Sequence, residues 1–308
     1  MASAPPWPGL PTVGSLKELI RPGWIRAQRG IFRRRDQWIL DEVGLEKVRD
    51  GSGPALLFVT GFLTHQRFRQ EQRWTAQFAI LYPTAPVYRV HWRAGTVHGL
   101  VGAIGAKPVA RNAVRAMWKI IIPLIAIIAR GPAFPLPRLT ALVDVASALG
   151  VWKTAVREAE IAGASLARLL ACVDNLPPVV LVGHSLGARL MQSTLRELAL
   201  RDRTLIREGH LCGGAVGVEP SAEWRRCIRA VGNGGRIVNY FSTRDMVLKA
   251  LYRAAEMFQS KPIGLCEITG IDRITNKDVS AHVSSHNKYK DDVPRWFERL
   301  DPSPPGGA

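Results

Sequence analysis

Residues 178–187 read Pro-Val-Val-Leu-Val-Gly-His-Ser-Leu-Gly. The first part, Val179 to Val182, is an uninterrupted aliphatic run, which is typical of a strand buried on both faces of a parallel sheet. The second part is a G-x-S-x-G motif centred on Ser185, and Ala188 to Arg201 beyond it has a helical composition. A strand that turns so directly into a helix strains the central residue and exposes its hydroxyl above the sheet. The motif therefore predicts a nucleophile; the alternative is a turn whose serine only caps the helix.

Strands and helices alternate on both sides of this motif. A second buried strand is predicted at Ala55 to Thr60 and a third at Val87 to Trp92, with a helical stretch around residues 73–81 between them. Three further short strands are predicted at Leu211 to Val218, Ile237 to Phe241 and Leu265 to Ile268. The intervals are long enough for crossover connections, so we expect an α/β fold with six or more parallel strands and helices on both faces.

The alternation stops between Arg93 and Cys172, where a long, mainly helical segment intervenes. Within it, the apolar run Ile120 to Ala129 is too short for a membrane span, which needs about 20 residues. We expect either a buried helix or an apolar cap over the site that dips into a membrane. The predicted organisation is a basic N-terminal arm at residues 1–35 and one domain at residues 36–308, with a helical insertion at 94–172.

The charge balance is strongly basic: 42 Lys and Arg against 25 Asp and Glu leave a net charge of +17. Such an excess suits anionic lipid headgroups, nucleic acid or acidic substrates, or only general solvation. The arm, rich in Arg and apolar residues up to Arg35, either packs on the domain or lies on an anionic bilayer. Nucleic acid is not expected as a partner, because no recognisable motif accompanies the charge.

The four cysteines have no C-x-x-C spacing, which favours reduced, buried thiols over a disulfide framework or a zinc site. No signal peptide is visible at the N-terminus. We therefore expect a cytoplasmic protein, peripheral on a membrane if the basic surface binds one.

A serine nucleophile needs an imidazole to remove its proton and a carboxylate to orient that imidazole. In sheets of this kind the order is Ser, acid, His, each at the C-terminal end of a strand. Of the seven histidines, only His282 and His286 follow the acid candidates. Among those candidates Asp245 ranks ahead of Glu219 and Asp272, because it follows a strand at the expected separation from both partners. Asp245 is alternatively a plain helix cap.

The same chemistry needs backbone N–H donors for the oxyanion that develops during acyl transfer. We predict the amide of Leu186 as one donor and that of Phe62 or Leu63, after the second strand, as the other. Gly61 precedes them and lets the backbone approach a ligand closely. No metal or organic cofactor is needed.

Four segments together resemble a poorly characterised α/β-hydrolase family whose eukaryotic members include transmembrane and coiled-coil domain proteins. The segments are Gly183 to Arg189, Val59 to Leu63, Val87 to Trp92 and Val238 to Arg253. The resemblance, over roughly Leu56 to Tyr289, implies an α/β-hydrolase fold: a mostly parallel sheet flanked by helices, with an apolar helical insertion and a triad. Members of the family carry a histidine shortly before a tyrosine, as in His286-Asn287-Lys288-Tyr289, so the resemblance selects His286 over His282.

We thus expect a serine hydrolase that cleaves carboxylic esters through an acyl-enzyme. Ser185 is the nucleophile, His286 moves the proton and Asp245 orients His286. The apolar segment and the basic surface favour a lipid-like ester as substrate, as in an esterase or lipase. The alternative is a catalytically silent hydrolase-like protein that binds anionic membranes or a protein partner.

Overall fold

A computed structural model describes residues 31–34, 37–40, 43–62, 74, 76–78, 80–93, 139–172, 177–255 and 261–298. The strands in these ranges are β1 (Ile31–Arg34), β2 (Gln37–Leu40), β3 (Val43–Arg49), β4 (Ala55–Val59), β5 (Val87–Trp92), β6 (Val179–His184), β7 (Ile206–Cys212), β8 (Val231–Phe241) and β9 (Ile274–Asp278). The α-helices with described bounds are α1 (Leu139–Ala171), α2 (Leu186–Ala199), α3 (Ser221–Cys227), α4 (Met246–Ala255) and α5 (Val293–Trp296). Short 3-10 helices lie at Ile228–Ala230, Ile263–Leu265 and His286–Lys290.

All these strands belong to one sheet, in the order β1-β2-β3-β5-β4-β6-β7-β8-β9. The six strands from β4 to β9 run parallel to one another. Strand β3 pairs antiparallel with β5 and is extended by the antiparallel strands β2 and β1. Strand β5 lies between β3 and β4, so the spatial order departs from the chain order only there, and β6 to β9 then follow in sequence toward the other edge. This mostly parallel sheet flanked by helices is the α/β-hydrolase fold, as predicted.

The apolar runs of β4 and β6 are buried on both faces of the sheet, and their successive side chains enter different layers. In β4, Leu57 and Val59 pack in the layer that contains α1, α2 and α3. Leu56 and Phe58 pack in the opposite layer. This layer also contains the rings of Trp74 and Phe78 and the side chains of Val293, Trp296 and Phe297. Helical segments on both faces thus explain why these strands carry no polar alternation.

Several element boundaries differ from the sequence-based expectation. The strand expected at 211–218 is β7, which lies at Ile206–Cys212 and ends before Gly213, whose φ is 52°. The segment expected as a strand at 265–268 lies outside any strand; a 3-10 helix ends at Leu265, and β9 lies at Ile274–Asp278 instead. The three antiparallel strands β1 to β3 were not predicted. Strand β1 falls within the segment predicted as the basic arm.

Helix α1 supplies the described part of the predicted insertion, and it runs unbroken for 33 residues. The apolar run Ile120 to Ala129 and the arm before residue 31 lie outside the described residues, so the division into arm, domain and insertion stays a prediction. Among helices in the described parts of the chain, none combines the length and apolar character that crossing a bilayer requires. Cys172, Cys212 and Cys227 are buried, and Cys266 is half-buried.

Helices α1 and α2 approach each other closely at Gly163. A Cβ at this position would lie 2.4 Å from the carbonyl oxygen of Leu190 and 2.6 Å from Cβ of Ser193. Two hydroxyls cross the same interface: Ser193 Oγ donates to the carbonyl of Glu160 at 2.8 Å, and Thr194 Oγ1 donates to that of Gly163 at 3.0 Å. The absence of a side chain at Gly163 therefore sets the distance between α1 and α2.

Replacement of Gly163 by Ala should lower the free energy of unfolding by about 1–3 kcal/mol, because the methyl group forces the two helices apart. Urea denaturation followed by circular dichroism measures the difference. Gly150→Ala is the matched control on the same helix, since nothing lies within 4 Å of a Cβ there. It should be neutral or stabilise by up to about 1 kcal/mol through helix propensity. Equal effects of the two substitutions would contradict the close approach.

Candidate active site

Ser185 lies at the point where β6 ends and α2 begins, with φ 58° and ψ −123°. This left-handed backbone region is rare for a residue with a side chain and costs about 1–3 kcal/mol. Its hydroxyl makes no capping hydrogen bond to the first turn of α2 within the described chain. The alternative in which Ser185 serves as a simple helix cap therefore does not describe the turn, whose backbone is that of a strained strand-to-helix bend.

The glycines around Ser185 are required by close backbone approaches. A Cβ on Gly183 would lie 2.8 Å from the carbonyl oxygen of Gly187, and one on Gly187 would lie 2.2 Å from that of Val59. A Cβ on Gly61 would lie 2.8 Å from Cβ of Ser185. The turn after β6 and the turn after β4 are therefore in direct contact at Gly61 and Gly187, whereas Gly183 lets the end of β6 lie close to the start of α2.

Asp245 lies in the turn between β8 and α4 and is fully buried. Its Oδ2 is 2.6 Å from Nδ1 of His286, and its Oδ1 accepts the backbone N–H of Leu248 at 3.0 Å. One carboxylate oxygen thus caps α4 while the other contacts the imidazole, so both interpretations of this residue describe real contacts. The turn is joined to the histidine loop by Ser242, whose Oγ donates to the carbonyl of Val283 at 2.6 Å.

His286 opens the 3-10 helix that follows β9, and it is 8% exposed. An ionised carboxylate only accepts hydrogen bonds, so Nδ1 of His286 carries the proton in its contact with Asp245. In the neutral imidazole with this tautomer, Nε2 carries no proton and is able to accept one. The carbonyl oxygen of His286 accepts the Nε2–H of His184 at 2.9 Å, which places the ring of the residue before Ser185 against His286.

The structure places the other candidates away from this contact. His282, Glu219 and Asp272 are exposed, and a side-chain oxygen of Glu219 accepts the backbone N–H of Ser221 at 2.8 Å. The parallel order of β6, β8 and β9 brings the turns that carry Ser185, Asp245 and His286 to one edge of the sheet. The arrangement therefore pairs Asp245 with His286, the histidine selected by the resemblance.

Of the predicted oxyanion donors, Leu186 and Phe62 are described, and both lie beside the turn that carries Ser185. Leu186 is the first residue of α2, whose first N–H groups have no acceptor within the helix. Phe62 follows Gly61, and its half-buried ring packs edge-on against the buried Trp152 of α1 with 6.3 Å between centroids. Leu63 lies outside the described residues.

Sequence reasoning did not identify the aromatic and basic surroundings of His286. Its ring lies 4.6 Å from that of His184, which in turn contacts Trp74 and Tyr289 at 6.1 and 5.7 Å. Burial lowers the pKa of His184 well below 6.5, and the nearby charges of His286 and Lys290 act in the same direction. Burial, followed by the charge of Asp245, raises the pKa of Tyr289 well above 10. The signal for these surroundings was the histidine next to Ser185 in the Gly-His-Ser part of the motif.

Metal ligation does not arise from the described side chains, among which no cluster of three or more His, Cys, Asp or Glu is placed to hold an ion. The described contact between the carboxylate of Asp245 and the imidazole of His286 is one that can orient the imidazole for proton transfer.

Comparison with known proteins gives three kinds of similarity. A model of the family described as "Protein of unknown function (DUF726)" matches residues 42–301. The chain is 34% identical over 155 residues to "Transmembrane and coiled-coil domain-containing protein STS1" of Oryza sativa subsp. japonica, a match that covers 49% of this chain and 22% of that protein. It is 30% identical over 150 residues to "Probable lipase MIL1" of Saccharomyces cerevisiae, covering 48% of this chain and 14% of that protein.

The matches thus span roughly a fifth or less of the length of these two relatives. Among solved structures, carboxylesterase CesB (YbfK) from Bacillus subtilis is similar with a TM-score of 0.36 and 11% identity. That similarity covers 86% of this chain and 87% of the esterase.

The depressed pKa of His184 predicts a pH-dependent stability. The unfolded chain protonates this imidazole as pH falls below about 6.5, whereas the folded chain does not, so the free energy of unfolding decreases below that pH. Replacement of His184 by Gln removes this group and should flatten the decrease by up to about 1.4 kcal/mol per pH unit. Urea denaturation at a series of pH values between about 5 and 7.5 measures it. Parallel curves for the two proteins would contradict the assignment.

Proposed function

We propose that this chain, which belongs to the family described as "Protein of unknown function (DUF726)", is a serine hydrolase that cleaves carboxylic esters. The observation that carries the proposal is the 2.6 Å contact between buried Asp245 and His286, at the sheet edge where Ser185 occupies a strained turn. A buried carboxylate, an oriented imidazole and a hydroxyl on a sharp strand-to-helix bend are the parts that acyl transfer to serine needs.

The proposed reaction has two halves with the same proton carrier. Oγ of Ser185 attacks the ester carbonyl while Nε2 of His286 takes the hydroxyl proton. The tetrahedral intermediate collapses, the C–O bond to the alcohol breaks, and His286 returns the proton to the departing alcohol oxygen. Water then attacks the acyl-enzyme with His286 again as base, which releases the acid and restores Ser185. Asp245 holds the imidazole in the tautomer that each half requires.

Stabilisation of the oxyanion is assigned to backbone N–H groups. Leu186 supplies one from the first turn of α2, where the helix dipole also favours negative charge. Phe62 or Leu63 supplies the second from the turn after β4. The support for this assignment is the contact of Gly61 with Ser185, which keeps that turn beside the nucleophile. Each donor of this kind is worth about 3 kcal/mol of transition-state stabilisation.

A lipid-like ester is the proposed substrate class. The side chain of Phe62 is only half-buried and packs on Trp152, so an apolar aromatic surface adjoins the turn beside Ser185. The net charge of +17 favours substrates at anionic surfaces. A relative that matches 48% of this chain carries the name "Probable lipase MIL1". An acyl chain lying along Phe62 would lose contact with water, a gain of about 0.8 kcal/mol for each buried methylene.

A fluorophosphonate probe tests the nucleophile directly. It should label the purified chain at Ser185, because the probe reacts with a hydroxyl that an adjacent imidazole activates. Ser185→Ala and His286→Ala should abolish labelling and lower p-nitrophenyl ester turnover by roughly 10³-fold or more. His282→Ala is the matched control from the same loop, and it should keep wild-type labelling and turnover. Mass spectrometry of labelled peptides and initial rates provide the readouts.

Two outcomes of this experiment would count against the proposal. A well-folded chain that is neither labelled nor active on any ester would contradict it. Equal loss from His282→Ala and His286→Ala would contradict the assigned base.

Sedimentation with vesicles tests the alternative function. If a chain that the probe does not label sediments with vesicles that contain anionic lipid, and Ser185→Ala sediments equally, the alternative of a silent membrane-binding protein is favoured.

Shortening of Phe62 to Ala tests the substrate class without removing the backbone N–H at that position. The loss in kcat/KM should grow with acyl length across p-nitrophenyl acetate, butyrate, octanoate and laurate, because only the longer chains reach the ring. We expect a loss of about 1–3 kcal/mol in transition-state stabilisation for the long esters and little for acetate. Initial-rate kinetics with the four esters measure it. A uniform loss for all four would show that the ring does not contact the acyl chain.

A further inference from the structure

We propose that His184 is a positioning residue that holds the backbone of His286 at a fixed distance from Ser185. This inference rests on the proposed function, since it assigns a role in the same reaction. It adds a fourth side chain to the machinery, on the residue that immediately precedes the nucleophile.

The first observation is the hydrogen bond between residues 102 positions apart in the chain. Nε2 of His184 lies 2.9 Å from the carbonyl oxygen of His286. A carbonyl oxygen only accepts, so Nε2 of His184 carries the proton and donates it. His184, the last residue of β6, is thereby hydrogen-bonded to the backbone of the loop that carries His286.

This hydrogen bond gives His286 a second anchor. Its side chain is held through Nδ1 by Asp245, a contact that constrains the ring and not the main chain. The second anchor, at the carbonyl of the same residue, fixes the backbone from which the ring projects. One attachment is to β6 and the other is to the turn after β8. Together they define where Nε2 of His286 can lie.

His184 is suited to this role because its own ring is held in place. It is 3% exposed, and the rings of Trp74, Tyr289 and His286 surround it with centroids between 4.6 and 6.1 Å away. It stays neutral, because its pKa lies well below 6.5. A neutral ring adds no charge that would oppose the imidazolium formed on His286 during the reaction.

The position of His184 in sequence makes the link direct. Its backbone joins Ser185 covalently, and its side chain joins His286, so one residue spans the gap between nucleophile and base. Its carbonyl oxygen also faces the turn after β4, since a Cβ on Gly61 would lie 2.9 Å from it. Loss of the side-chain contact would leave the Ser185 turn intact while the base shifts, and a misplacement of about 1 Å can cost about 10²-fold in rate.

The test compares His184→Leu, His184→Gln and His184→Asn on p-nitrophenyl butyrate. Leu removes the donor, Gln carries an amide N–H to the place of Nε2, and Asn carries one only as far as the place of Nδ1. We expect kcat to fall about 10²-fold in the Leu and Asn variants with KM nearly unchanged, and to recover at least about tenfold in the Gln variant. If Leu fails to fold, the contrast between Gln and Asn still decides.

A matched control separates positioning from general damage to the core. His210 is a buried histidine on the neighbouring strand β7, and its hydrogen bonds go to Glu208 and Tyr240 rather than to the triad. His210→Gln should lower the melting temperature while kcat stays near wild type. Wild-type kcat in a folded His184→Leu variant, or equal kcat in the Gln and Asn variants, would overturn the proposal.

A second readout does not depend on turnover. The Nδ1 proton of His286, held against Asp245, should give a proton resonance far downfield in the NMR spectrum, assigned by its loss in Asp245→Asn. We expect this resonance to persist in His184→Gln and to broaden or vanish in His184→Leu. Its unchanged presence in His184→Leu would overturn the role of His184. A wild-type chain that shows the resonance but no labelling by fluorophosphonate would instead refute the proposed function alone.

Discussion

Backbone contact between three glycines and their neighbours is the constraint on which the candidate site depends. Val59 pairs with Gly183 in the register of β4 and β6. Gly187, at the start of α2, packs directly against the carbonyl of Val59. Gly61 then meets Ser185 from the next turn. A side chain at any of these positions would push the strand, the turn and the helix apart. The packing that stabilises the strained backbone of Ser185 would then be lost.

The parallel sheet supplies the other half of the arrangement. Because the strands from β4 to β9 share one direction, the residues that follow β6, β8 and β9 emerge at one edge. Neighbouring turns are then joined by short polar links: Val279 donates its N–H to the carbonyl of Phe241, and Ser242 donates to that of Val283. These links draw the histidine loop toward the turn of Asp245. The contact between carboxylate and imidazole is therefore a consequence of topology and of a few local hydrogen bonds.

Sequence reasoning was most successful where burial leaves an unmixed signal. Strands β4 and β5 lie within one residue of their predicted bounds, and β6 extends its predicted apolar run by two residues, Gly183 and His184. Strand β7 was misplaced because it contains Glu208 and His210, which satisfy each other at 3.0 Å inside the molecule and so disguise a buried strand as a polar one. Strand β9, with the residues Ile-Thr-Asn-Lys-Asp, is a half-exposed edge strand without an apolar run. A pattern of apolar residues along the chain therefore misses a strand whose polar side chains pair inside the molecule and a strand that lies at the edge of the sheet.

The candidate site shows the same limit in a different form. Sequence reasoning treated helix cap and triad acid as competing interpretations of Asp245, and helix cap and nucleophile as competing interpretations of Ser185. For Ser185 the competition is real, because its one hydroxyl makes no cap. For Asp245 it is not, because a carboxylate has two oxygens and about four lone-pair sites.

One oxygen of Asp245 anchors the first turn of α4 and thereby fixes the direction in which the other oxygen faces His286. His184 combines roles in the same way, since its backbone belongs to β6 and its ring reaches the loop after β9. A polar side chain with two functional ends connects a structural element to a reactive group. The stability of the sheet edge and the orientation of His286 therefore depend on the same few contacts.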